Sequence, residues 1–193
     1  MNSKSAVALI LLLEMLAILL GVINYGWTLE GLQALTRYSG RVSLGIFSII
    51  FLFYNHPVIN VRKGLSDKFF LVFAIAHGIH LFELLSYLYF SQSPFIWYRL
   101  AGGMIAYAMI FAMPWIQEKY EEQKITEKQF NQAALIYLYY VWFIFFMTYL
   151  PRVRGTLPNV GGSYKEFVVL LGWVSIMMGF KWSQLLAKPR KRA

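Results

Sequence analysis

FFLVFAIAHGIHLFELLSYLYF, residues 69–90, decides the fold. Apart from one glycine, one serine and the three ionisable groups His77, His80 and Glu83, it is aliphatic or aromatic throughout. A helix needs roughly 20 such residues to cross the hydrocarbon core of a bilayer. The run is continuous rather than alternating, so it does not fit a membrane β-barrel strand, and an open strand edge has no partners in lipid. It reads as a membrane-crossing helix.

Five further stretches of the same kind lie on either side: Ala6–Ile23, Tyr38–Tyr54, Phe95–Ile116, Phe130–Leu150 and Tyr164–Leu186. Serines and glycines dilute the second, and Lys181 falls near the end of the last. The expected fold is all-α: a polytopic membrane protein, one six-helix transmembrane bundle over residues 1–193. Ser3-Lys4 followed by Ala6 to Leu20 reads as a retained first helix. Its apolar run exceeds a signal core, it contains Glu14, and no small-residue cleavage site follows it. Composition agrees, with 59% hydrophobic and 14% charged residues against about 25% charged in an ordinary soluble domain. The absence of cysteine excludes disulfides, thiolate metal sites and thiol catalysis.

The net charge of +9 sits largely beside the spans, so no nucleic-acid partner is expected. With both termini cytoplasmic, Lys4, Arg62, Lys63, Lys68, Lys119, Lys124, Lys128 and the tail Lys188 to Arg192 share the inner side. Arg37, Arg152, Arg154 and Lys165 fall outside, with Arg41 and Arg99 just within spans. Tyr25, Trp27, Trp97, Tyr98, Tyr149 and Tyr164 would form the outer aromatic belt, and Trp115 and Trp182 the inner one. The expected location is the cell membrane, in contact with lipids, with the polar turn Ser91–Pro94 and the loop Pro151–Ser163 outside.

His77, His80 and Glu83 recur every three residues, within an arc of about 120°. Such groups cost a few kcal/mol each in lipid, so the stripe should face the bundle interior. One reading is a polar seam bonded to neighbouring tyrosines and serines. Another is a haem or metal ligand role for His80 or His77, and a third is proton or substrate handling. Zinc fits less well than haem, because one straight helix rarely wraps three ligands around an ion, whereas haem asks it for a single imidazole. Glu14 is a second mid-span carboxyl, expected to pair with a histidine or Arg41 or to hydrogen-bond within the bundle. Arg41 and Arg99 can snorkel, or can hold a haem propionate or a lipid headgroup. His56 reads as a solvated turn residue. Gly102-Gly103 should permit close packing, Pro114 should bend its span, and the aromatic run Tyr137 to Phe143 could flank a flat cofactor. No serine–histidine–acid set, phosphate loop or dinucleotide fingerprint is present.

The stretch Leu35-Thr36-Arg37-Tyr38-Ser39-Gly40-Arg41-Val42-Ser43-Leu44-Gly45, the basic Arg62-Lys63 loop, His80 in the third span and Leu135 to Leu138 in the fifth carry a resemblance. Over roughly Gly26 to Leu150 the chain resembles the ferric reductase-like transmembrane domain family. Within it, the likeness is to the six-helix haem-binding membrane subunits of bacterial methionine sulfoxide reductase systems. The resemblance implies haem b, a membrane electron-transfer or partner-dependent reductase role, and a protein partner that gives or accepts electrons. The chain departs from the family in having no histidine after His80. That excludes two bis-histidine haems and leaves at most one site, on His80 or His77, with Met147 or an open position opposite. The alternative is a non-haem membrane protein that binds or moves a small molecule, or scaffolds a complex, through the His/Glu seam.

Overall fold

A computed structural model describes residues 3–56, 67–92, 97–156 and 162–187, without the side chains of 97–100 and 185–187. The basic pair Arg62-Lys63, the basic tail, Ser93-Pro94 and the side chains of Trp97, Tyr98 and Arg99 therefore lie outside the described residues. Six helices follow one another: α1 Ser3–Tyr25, α2 Leu29–Phe53, α3 Phe69–Ser91, α4 Trp97–Glu121, α5 Glu127–Val153 and α6 Tyr164–Ala187. No strand occurs among the described residues. The chain is all-α, as its sequence predicts. By length and composition four helices, α1, α3, α5 and α6, can cross a membrane. Glu30, Gln33, Arg37, Arg41 and three serines keep α2 below that apolarity.

The first correction concerns where α2 begins. The predicted link Asn24 to Arg37 is mostly helix. Gly26, in the left-handed region at φ +67°, makes the turn out of α1. Thr28 then caps α2, its hydroxyl accepting from the Gly31 N–H at 3.1 Å and donating to the Tyr25 carbonyl at 2.8 Å. Arg37 and Arg41 consequently lie inside α2 rather than at the outer end of a span. The charged stretch after α4 narrows to a tight turn through Gln123 (φ 59°). There the Lys124 ammonium, 2.8 Å away, holds the Glu122 carboxyl below the usual carboxylate range. Thr126 and Gln129 form a reciprocal capping box that opens α5.

Five helices close into a ring in chain order, α2 against α3, α3 against α4, α4 against α5, α5 against α6, and α6 back against α2. Helix α1 stands outside this ring and packs on α2 and α3. The ring is tied at several heights. Arg41 pairs with Glu166 of α6 at 3.2 Å. Trp173 donates to the Ser48 hydroxyl at 2.9 Å, and buried Lys181 donates to the Tyr54 carbonyl at 2.6 Å. Helix α2 thus receives a cation at its C-terminal end, where the peptide dipoles favour one. Tyr140 donates to the Gly102 carbonyl at 3.1 Å, which a bulkier residue at 102 would crowd through Ile144.

The half of the ring near Phe51 and Phe70 is solid. Phe47 packs on Phe51, Phe73 and Phe145 at centroid distances of 5.3 to 5.6 Å, and Phe70 meets Tyr137 edge-on at 5.2 Å. Such aromatic pairs contribute about 0.5–1.5 kcal/mol each. Outward faces are apolar: Leu12, Met15, Leu19 and Ile23 of α1 are exposed. Tyr25, Trp27 and Tyr164 are exposed at one end and Trp115 and Trp182 at the other, which gives the two aromatic girdles their places. Tyr149, expected in the outer girdle, is instead buried.

Candidate functional site

In the other half of the ring the helices part around a cavity of about 400 Å³, and all five contribute to its wall. Its floor is His77, Tyr107, Ile110, Val141 and Phe145. Its mouth holds Gln33, Arg37, Arg41, Tyr87, Thr148 and Arg152. Ten residues of α3 separate Tyr87 from His77, about 15 Å at 1.5 Å per residue. The aromatic plug lies beneath. The volume suits a small organic ligand, and apolar walls with a few polar groups are the usual composition of such sites.

His77 and His80 both line the cavity, with ring centroids 5.3 Å apart. The His77 ring is stacked between Phe73 at 5.2 Å and Tyr107 at 4.8 Å, with Phe145 edge-on at 5.9 Å. Its Nδ1 is buried and has no hydrogen-bond partner. His80 is placed differently. Its ring hydrogen-bonds the Thr36 backbone of α2, while its own Nδ1 is buried without a partner. Gly40 makes room for that ring: a Cβ there would stand 3.1 Å from His80 Cε1. Two orphaned imidazole nitrogens in one cavity wall call for a partner inside the cavity, water or a ligand, since buried polar atoms are nearly always satisfied.

Three guanidiniums ring the mouth. Arg41 is engaged with Glu166. Arg37 donates to Gln33, which in turn donates to the Tyr87 hydroxyl at 2.9 Å. Arg152 donates to the Thr148 carbonyl and lies over the Phe167 ring. The Nε atoms of Arg37 and Arg152 are buried without partners, so the mouth can accept an anion at little cost in existing bonds.

Of the residues that the sequence singles out, His77, His80 and Arg41 meet here. Glu83 and Glu14 do not: they are buried together on the α1 side of α2 and α3. Met147 is not in the cavity either. It is 42% exposed on the outside of α5, where Phe145 rather than Met147 turns towards His77, so it cannot serve as the opposing ligand. The backbone of Arg99 lies in the first turn of α4. The buried aromatics of the run Tyr137 to Phe143 belong mainly to the packed core, with Val141 alone of that run reaching the cavity. No cluster of three metal-ligating side chains occurs among the described residues. Arg37, Arg152 and Tyr107 are functional-site residues that the sequence reading did not place at a site. Arg37 could have been found from its i,i+4 spacing to Arg41 once α2 is started at the Thr28 cap.

Comparison with family models, with curated proteins and with solved structures finds no match to this chain.

Proposed function

We propose that the chain is a multi-pass membrane protein that holds one haem b in the ring cavity and passes single electrons to or from a protein partner, in the manner of a ferric reductase-like subunit. The observation that carries this reading is His80: one ring nitrogen is anchored on a backbone carbonyl and the other is left unpartnered in a cavity wall. That is the disposition of a metal-ligating imidazole, whose second nitrogen is usually fixed by a carbonyl or carboxylate. The remaining residues fit the group as well. Flat apolar walls suit the macrocycle, and the orphaned Arg37 and Arg152 nitrogens suit its carboxylates.

In this reading haem supplies one-electron chemistry, and the protein supplies position and surroundings. His80 would hold the haem iron, and Gly40 and Thr36 set the orientation of its ring. Tyr107 and Phe73 hold His77 beside it as a packed neighbour. Phe145 closes the face opposite α3 without offering a donor atom. The aromatic plug keeps water from reaching the cavity through the other half of the bundle. The same proposal places both termini on the cytoplasmic side, with the cavity mouth facing outward.

A second reading has one observation in its favour: among the described residues lining the cavity there is no methionine and no histidine besides His77 and His80. The cavity would then take an apolar carboxylic acid directly, its carboxylate on the arginines. Absorption spectra of the purified protein, oxidised and then reduced, separate the two. The expected result is a b-type Soret and alpha band that His80→Ala abolishes, His77→Ala weakens and Met147→Leu leaves unchanged. A blank spectrum, or equal haem content in wild type and His80→Ala, rejects the haem reading.

A further inference from the structure

Glu14 sits at the centre of the only face α1 presents to the ring. Ala6, Ile10, Glu14, Ala17 and Gly21 are its buried positions, one per turn along one stripe. Gly21 packs against Gly31 and Leu35 of α2, and the two helices run in opposite directions. Seven residues back from Gly21, Glu14 therefore comes level with Ser39 to Ser43. Glu83 reaches the same place from α3, with Ser39 beside both carboxyls. Glu14 is 3% exposed and Glu83 6%, and both serines are fully buried.

The polar atoms there are not satisfied. Glu14 Oε1 and Oε2, Glu83 Oε2, Ser39 Oγ and Ser43 Oγ all lack hydrogen-bond partners. No basic side chain pairs with either carboxyl among the described residues. On the packed elements the nearest ionisable groups are His80 and His77, one and two turns back along α3, and Arg37 and Arg41 of α2. Both arginines are engaged at the cavity mouth with Gln33 and Glu166. Lys4, the basic residue of α1, lies at that helix's start.

We propose that Glu14 and Glu83 form an acid pair that holds one exchangeable proton between α1 and the ring, with the Ser39 hydroxyl between them. Charge and hydrogen bonding support a held proton. With no proton, two like charges would share an apolar interface without a counter-charge, which buried carboxylate pairs avoid by keeping one proton. With one, the Ser39 hydroxyl beside both carboxyls can donate to the one that stays charged. Uptake of a further proton gives the neutral diacid and loss of the held one gives the dianion. The pair does not depend on what fills the cavity.

Infrared absorption of the purified full-length protein tests this. The protonated-carboxyl C=O stretch, taken as wild type minus the Glu14→Gln/Glu83→Gln double variant at neutral pH, should amount to one carboxyl per chain. It should shift on transfer to D2O and fade at alkaline pH. Two equivalents unaffected by pH would overturn the proposal in favour of a permanently neutral packing pair. No band, with a melting temperature higher in sodium chloride than in choline chloride, would overturn it in favour of a bound cation. Should the double variant not fold, the D2O shift and the pH response of the wild-type band decide alone, and a band indifferent to both rejects the proton.

Discussion

Gly40 matters because of what it leaves out. Its missing side chain is the space into which the Cε1 edge of His80 fits, so the orientation of one imidazole is set by the absence of a methyl group on the facing helix. Gly40→Ala should displace the ring by a few tenths of an ångström and alter the spectrum of any bound haem. Gly40→Val should reduce haem retention by about tenfold or more, equivalent to about 1.4 kcal/mol. Haem content per chain, measured after purification in excess haem, checks this, and an unchanged value would show that His80 is not held from α2. The histidines themselves were legible in the sequence, because ionisable groups at mid-span are costly enough to need a reason. Their division of labour was not. Three-residue spacing puts His77, His80 and Glu83 on one face, but it does not say that the face is split between two neighbours. His77 and His80 turn to the cavity, while Glu83 turns towards α1. The sequence offered Met147 for the place opposite, and only the rotation of α5 shows that Phe145 faces His77 instead.

At the level of single helices, composition predicts existence well and ends poorly. All six were legible as apolar runs, yet α2 starts at Leu29 rather than near Tyr38; its first turns carry Glu30, Gln33 and Arg37, the last two at the polar cavity mouth, which hides them from an apolar run. A hydropathy signal fades where a helix carries such groups. Thr28, a capping residue just before the helix, is the local cue that remains. The other end of α2 depends on α6. Lys181 closes the last turn by donating to the Tyr54 carbonyl, and Gln184 donates to the Leu52 carbonyl at 3.0 Å. Lys181→Met keeps the length of the stem and removes the ammonium, leaving a buried carbonyl short of a donor. Thermal unfolding in detergent should show a loss of about 1–3 kcal/mol, with Gln184→Ala costing less. Equal melting temperatures for wild type and Lys181→Met would mean that solvent or lipid satisfies this end.

For the whole molecule the ring has two unlike halves, an open one with three arginines at its mouth and a filled one of stacked phenylalanines. Sidedness follows from the proposed orientation. Single cysteines at Ser91 and Ser163, at the mouth end, should react with an impermeant thiol reagent in intact cells, and one at Gln123 should not. The reverse pattern would turn the mouth to the cytoplasm. The closed circuit of α2 to α6 could not be derived from the sequence, since spans of similar length and polarity carry little record of which pairs touch. Its electrical meaning is simple. In the proposed orientation a membrane potential falls mostly across the low-dielectric plug and only slightly across the open mouth, so the cavity floor lies electrically close to the mouth side. Moving one elementary charge across the full layer is worth about 2.3 kcal/mol per 100 mV, so a charge arriving beside His77 through the mouth would feel only a small part of that. A charge arriving through the plug would instead cross most of the voltage, so in the proposed function the direction from which the cavity is charged decides how strongly its midpoint follows the potential.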